Sequence, residues 1–206
     1  MIKYPYIDDQ FEVFDFDFYH FVKKNRIPRI PGDGIFLGDG TFVRIIERDD
    51  VDLGISFTYE ETPPNSYFMI YKTYHYSNRF IRSKRIAINT MGMGIYGSYY
   101  TFDENGNLKE VIDYDKFYSF SFEQVLDFCK TKGINNIPKG AIINRAQPFG
   151  ASDIQRGRWI QNKNIYIWDI DWNKPDRTFE NFILSGQTGE IIEHGQGTYS
   201  REGRDY

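Results

Sequence analysis

Two aspartates one residue apart, Asp169 and Asp171 in the run Trp168-Asp169-Ile170-Asp171-Trp172, have the spacing best suited to chemistry in this chain. On an extended strand, residues two apart point the same way. The pair would therefore present two carboxylates to one side, as a divalent cation beside a nucleotide sugar requires. Such a site also needs further oxygen or nitrogen ligands converging from elsewhere. The same alternation puts Tyr166, Trp168, Ile170 and Trp172 on one face and leaves the aspartates with Ile165 and Ile167 on the other. The plainer expectation is a half-buried strand whose acidic side is solvated. Asp15 and Asp17 form a second pair with the same two readings.

Other chemistry is less well supplied. His20, His75 and His194 are scattered and give no H-E-x-x-H signature. Cys129 is the only cysteine, which excludes an intrachain disulfide and a multi-thiolate zinc site. The run PGDGIFLGDG lacks the lysine and the serine or threonine of a phosphate-binding loop, so it reads as paired turns, and no cofactor is expected. Tyr71, Tyr74, Arg79, Arg82, Lys84 and Arg85 supply the residue types of a stacking platform for single-stranded nucleic acid. Against this stand the excess of 29 acidic over 25 basic residues and an alternation that would bury half of these aromatics. Neither nucleic acid nor membrane is an expected partner, and a basic protein is mildly favoured. The N-terminal MIKYPYIDDQ has no apolar core of signal-peptide length, and no run reaches the ~18 apolar residues of a membrane span. A soluble, cytoplasmic protein is the resulting expectation.

The elements that must position these residues are mainly strands. Aromatic residues make up 18 % of the 206, which suits half-buried pleated surfaces. Thr41 to Glu47 and Asp52 to Glu60 read as a strand pair joined by a charged turn around Glu47-Arg48-Asp49-Asp50. Tyr67 to Tyr76 reads as a further strand, and Arg79 to Asn89 as an edge or half-exposed one. The segment from Asp8 to Lys24 fits two templates. Phe14, Phe16 and Phe18 alternate as in a strand, while Phe11, Phe14, Phe18 and Phe21 fit a helical stripe. Acidic residues before it and lysines after it favour the helix.

The central Asn105-Gly106 suggests a two-residue hairpin loop. A three-residue loop pairing Asp103 with Asn107 instead aligns Phe102, Tyr100 and Tyr96 with Leu108, Ile112 and Tyr114, and makes Gly106 a bulge. A helix over about 121–133 follows, with Ser121 and Gln124 as capping box, Phe120 and Val125 as hydrophobic staple, and Phe122, Val125, Leu126 and Cys129 as its buried stripe. Gly133 is its left-handed stop. A helical or irregular piece is expected around Ala141 to Gln155, with strands resuming at Arg158. The expected architecture is α+β, a twisted and mainly antiparallel sheet with this helix and an N-terminal one. It forms one domain over 1–195, with a tail over 196–206.

Two local resemblances bear on function. GSYYTFDENGNLKEVIDYD, residues 97–115, is similar to one unit of the MORN-like repeats of bacterial antitoxin-type proteins. The stretch from Trp159 to Glu193, ending in FILSGQTGEII, resembles the close of PepSY-like domains, which are inhibitory or accessory modules. With the small, acidic, aromatic chain, these look most like the immunity proteins that bacteria pair with secreted toxins. That resemblance implies binding of a cognate toxin and occlusion of its active site, with no catalysis by the chain itself. The acidic segments Glu47, Asp49, Asp50, Asp52, Glu60 and Glu61 are the candidates to steer a basic toxin. Phe128, which falls off the helix stripe, is a further candidate contact. The alternatives are a metal-dependent enzyme using Asp169 and Asp171, and a PepSY-like accessory module, which requires export.

Overall fold

The structure, a computed structural model, describes residues 2, 4–27, 34–50, 54–90, 94–140, 152–159 and 165–199. The architecture is broadly α+β, an antiparallel meander with two α-helices, and it divides into two compact units where the sequence suggests one domain.

The first unit comprises Met1–Asn89, Ile95–Asp115 and Lys139–Arg145. It holds helix α1 (Phe16–Asn25) and strands β1 (Gly34–Phe36), β2 (Phe42–Asp50), β3 (Gly54–Thr62), β4 (Phe68–His75), β5 (Ile81–Ile88), β6 (Ile95–Phe102) and β7 (Leu108–Asp113). The seven strands pair in sequence order, which leaves β1 and β7 at the edges.

The helical reading of the N-terminal segment holds from Phe16, whereas the strand alternation of Phe14, Phe16 and Phe18 does not form, because Phe16 and Phe18 lie in α1. Just before it, Val13 bridges Phe80 ahead of β5, with Ile81 N donating to Glu12 O at 2.9 Å and Phe14 N to Arg79 O at 2.8 Å. Asp15 then caps α1, its Oδ1 accepting from Phe18 N at 2.8 Å. The helix buries Tyr19 and Val22, while Phe11 and Phe21 are exposed, so the expected phenylalanine stripe is corrected. Phe14 serves the core from outside the helix, stacked on Phe57 at 4.3 Å.

Strand β5 is interior, contrary to the edge or half-exposed expectation. Its charges suggested solvent, but the fold takes them up. Lys72 and Lys84 stand directly opposite each other on β4 and β5, a like-charge pair that would repel. Glu12 lies between them, accepting from Lys72 Nζ at 2.6 Å and from Lys84 Nζ at 2.8 Å. Lys84 is fully buried, and its three protons reach Glu12, Asp8 Oδ1 at 2.9 Å and Gln10 O at 2.6 Å. The N-terminal segment is thereby fastened across the sheet.

The charged run 47–50 is also corrected. It belongs to β2, which pairs with β3 from Phe42 opposite Thr62 through Asp50 opposite Gly54. The connection falls on 51–53, outside the described residues.

The central turn has the expected three-residue form. Asp103 N donates to Asn107 O at 2.9 Å and Gly106 N to Asp103 O at 3.0 Å, with Gly106 at φ 84°, a conformation that favours glycine. One residue later the register shifts, so Tyr100 faces Val111 instead of sharing a face with Ile112. The extra residue, Lys109, sits on an edge strand, where a bulge disrupts no second ladder.

The second unit comprises Thr90–Gly94, Lys116–Pro138 and Ala146–Tyr206. It holds α2 (Phe122–Thr131) and strands β8 (Ser152–Trp159), β9 (Ile165–Asn173), β10 (Thr178–Ser185) and β11 (Ile191–Thr198), in the order β11-β10-β9-β8. The capping box forms as expected, with Ser121 Oγ accepting from Gln124 N and Gln124 Oε1 accepting from Ser121 N at 2.7 Å. At the other end Ile134 N donates to Cys129 O at 2.8 Å and Gly133 N to Lys130 O at 3.1 Å. This is a Schellman closure, with Gly133 at φ 79°.

Phe122, Val125 and Cys129 are buried, and burial pushes the Cys129 thiol up to about 12, so the cysteine is a core residue. Phe120 N donates to Gly186 O, and Phe120 O accepts from Trp168 Nε1 at 2.9 Å. Residues 152–155 are strand, not helical or irregular, because Ile154 fills the buried row opposite Ile170 and Phe182. The rest of that expected piece, 141–151, lies outside the described residues. The tail is shortened as well, since β11 runs to Thr198 and the Tyr199 hydroxyl donates to Asn173.

Candidate partner-binding face

Strands β2 and β3 outrun their neighbour. Pairing of β3 with β4 stops at Ser56 opposite His75, while β2 and β3 continue to Asp49 opposite Ile55 and Asp50 opposite Gly54. On the α1 side of this extension Glu47 lies opposite Phe57 and Asp49 opposite Ile55. Tyr76, just past β4, stacks on Phe57 at 5.2 Å. Phe57 is buried and forms a rigid floor, whereas Ile55 is 43 % exposed and Tyr76 47 %. Glu47 and Asp49 are exposed, and Glu47 Oε2 accepts from the Tyr19 hydroxyl at 3.4 Å. The arrangement is a small apolar centre bordered by carboxylates, the anatomy of a protein contact.

The other expected contact residues fare differently. Glu60 is 4 % exposed and cannot steer a partner. Its register places Arg44 directly opposite, and Glu60 Oε2 accepts from Arg44 Nε at 2.8 Å on the far face of the sheet. Glu61 is half-buried and accepts from the Tyr59 hydroxyl at 2.7 Å. Burial, with Glu61 adding to it, raises the pKa of that hydroxyl, which keeps it a donor. Asp52 and the side chain of Asp50 lie outside the described residues. Phe128 meets Phe182 edge-on at 5.4 Å, with the Lys132 ammonium over its ring, so its cover is internal to the second unit. Ile55 and Tyr76 were not legible as site residues, because nothing in the sequence reveals that β3 outruns β4.

The aspartate pair on β9 is half-buried, not solvated. Asn181 Nδ2 bridges it, donating to Asp169 Oδ1 at 2.7 Å and to Asp171 Oδ1 at 2.8 Å. Asp153, opposite Asp171, is 4 % exposed and accepts from Gln155 Nε2 at 2.8 Å. Among the described residues no group of three or more His, Cys, Asp or Glu is placed to hold a metal ion. Burial raises the Asp169 pKa. The Asn181 hydrogen bond opposes the shift, and Asp171, Asp153 and Glu193 add to it. A raised folded-state pKa means that the protonated carboxyl favours the fold, and this contribution is lost as pH rises through the folded value. Asp169→Asn is therefore expected to raise Tm by a few degrees at neutral pH, with the gain shrinking below the ordinary aspartate range. Thermal scans across pH check this, and a lower Tm for the variant at pH 7 would contradict it.

Other candidates also resolve into structure. Tyr71, Tyr74 and Lys84 are buried, and Arg79 and Arg85 lie over the Phe16 and Tyr71 rings, so these members of the aromatic-basic run are taken up by internal contacts. His194 stacks on Phe182 at 4.5 Å and bonds Glu180 at 3.2 Å. A groove of about 370 Å³ between β10 and β11 contains Lys174 and Glu180, which pair with each other. Among the described residues no helix is long and apolar enough to cross a membrane. Compared with known proteins, the chain matches no family model, no curated protein and no solved structure.

Proposed function

We propose that this chain acts by binding a basic protein partner, and that the partner is a bacterial toxin whose active site it occludes, as in the immunity proteins it resembles. The observation that carries the reading is the joint exposure of Glu47, Asp49, Ile55 and Tyr76 at the projecting end of β2 and β3. Carboxylates at a rim accelerate encounter with a cationic surface, and a tyrosine on a rigid aromatic floor is the residue type that anchors contacts. The test is co-expression with the product of the neighbouring gene. Growth protection and a co-purifying complex are expected. A neighbour that is harmless alone and does not co-purify would end the proposal.

A further inference from the structure

Phe57 sits inside a stack of three rings. Phe14 lies against it at 4.3 Å and 7°, and Tyr76 at 5.2 Å and 24°. Phe14 and Phe57 are buried, so Tyr76, 47 % exposed, is the end of the stack that meets solvent. Tyr76 follows His75, which is opposite Ser56, and so reaches the level of Ile55, which is opposite Asp49 on β2. With strands ~4.8 Å apart and same-face neighbours ~6.8 Å apart along a strand, Tyr76 and Asp49 stand roughly 10 Å from each other across an exposed isoleucine, and Glu47 is the next same-face position on β2.

These two carboxylates lack a cation. Among the described residues Asp49 makes no hydrogen bond or ion pair, and Glu47 accepts only from the Tyr19 hydroxyl. Arg48, between them in sequence, turns to the other face of the sheet, 3.9 Å from Glu60 Oε1. An exposed ring beside uncompensated carboxylates fits a planar cation. A guanidinium stacks on an aromatic face and forks its N–H donors onto carboxylates, whereas an ammonium is a compact, strongly hydrated charge with no planar face. The chain uses the same stack internally, with the Arg85 guanidinium 4.3 Å from the Tyr71 ring centre and that of Arg156 4.2 Å from the Tyr118 ring centre. A quaternary ammonium would instead need a cage of several open rings. Phe16, which meets Phe57 edge-on at 5.4 Å, is already covered by Arg79 at 4.3 Å.

We infer that the anchor this surface receives is an arginine side chain of the partner, its guanidinium a fourth layer on Tyr76 and its N–H groups donating to Asp49 and Glu47. The inference rests on the reading of this end of β2 and β3 as a protein contact and names the side chain it recognises. The probes are the end-blocked tripeptide Gly-Arg-Gly and its lysine counterpart, titrated into the full chain and followed by two-dimensional amide NMR. Saturable millimolar binding of the arginine peptide is expected, about fivefold tighter than the lysine peptide, with shifts centred on Asp49, Ile55 and Tyr76. Tyr76→Leu keeps an apolar cover on Phe57 and should lose the preference for arginine. Asp49→Asn, at an exposed and unpaired position, should weaken arginine binding about threefold and serves if Tyr76→Leu does not fold. An arginine peptide that moves no residue of this face, a lysine peptide that binds as tightly, or an unchanged affinity in a folded variant would overturn the inference. A neighbouring gene product that binds and protects growth while the arginine peptide leaves this face unmoved would overturn the inference alone. Peptide binding beside a neighbour that forms no complex would support the inference and end the toxin reading alone.

Discussion

Replacing Glu12 by Gln is expected to destabilise the first unit by about 3–5 kcal/mol, the range for breaking a buried ion pair from one side. Glu12 separates Lys72 from Lys84, and its Oε2 also accepts from the Tyr74 hydroxyl at 3.1 Å. The glutamine amide retains one acceptor and carries no charge, so two opposed ammonium groups are left short of neutralisation in the sheet. Lys84→Met is the informative contrast. It removes the buried cation, keeps the aliphatic stem, leaves Glu12 on Lys72 and leaves Asp8 in contact with water, at an expected cost of about 1–2 kcal/mol. The pH dependence follows from the same groups. Burial pulls the Glu12 carboxyl upward, but hydrogen bonds from Lys72 and Lys84 outweigh it, and Lys84 holds Asp8 down as well. Both folded-state pKa values are depressed, so the stability they contribute is complete above the unfolded values near pH ~4 and is lost as pH falls through the folded ones. Urea titrations from neutral pH downward should show wild type losing stability and the Glu12→Gln variant losing less. Equal slopes would show that the fastening is not ionic.

Trp168→Ala is expected to cost about 3–5 kcal/mol in the second unit, as large-to-small changes of buried tryptophan do. The ring is fully buried, edge-on to Tyr118 at 5.1 Å and tilted against Phe122 at 5.9 Å, with the Arg156 guanidinium 4.5 Å over it. Trp168→Phe keeps much of the packing but removes the donor to Phe120 O, so about 1–3 kcal/mol is expected. All three tryptophans fall within Ala146–Tyr206, so tryptophan fluorescence reports the second unit. The Trp168 variants should therefore unfold earlier by fluorescence, whereas Glu12→Gln should show its loss by circular dichroism. A Trp168→Ala variant with an unshifted fluorescence midpoint would contradict this packing.

Local chemistry was legible in the sequence, and long-range pairing was not. Ser121, Gln124 and Gly133 specify α2 through bonds that span only a few residues, so boundary and cap could be read directly. The Asp103 to Asn107 turn was readable for the same reason, whereas the shift at Lys109 depends on the partner strand and was not. Lys84 and Glu60 looked like solvated charges because their partners, Glu12 and Arg44, lie 72 and 16 residues away. The candidate contact was half visible. Glu47 and Asp49 stood out as charges, but Ile55 and Tyr76 acquire meaning only once β3 is known to outrun β4.

The central claim is that Glu47, Asp49, Ile55 and Tyr76 form one contact, and affinity for the neighbouring gene product tests it most directly. Biolayer interferometry is run on wild type, on Glu47→Lys with Asp49→Lys, and on Tyr76→Ala, at low and physiological salt. The charge reversal should slow association tenfold or more and abolish most of its salt dependence. Tyr76→Ala should mainly speed dissociation, by about 30-fold for a loss of ~2 kcal/mol. Wild-type kinetics in both folded variants would contradict the account.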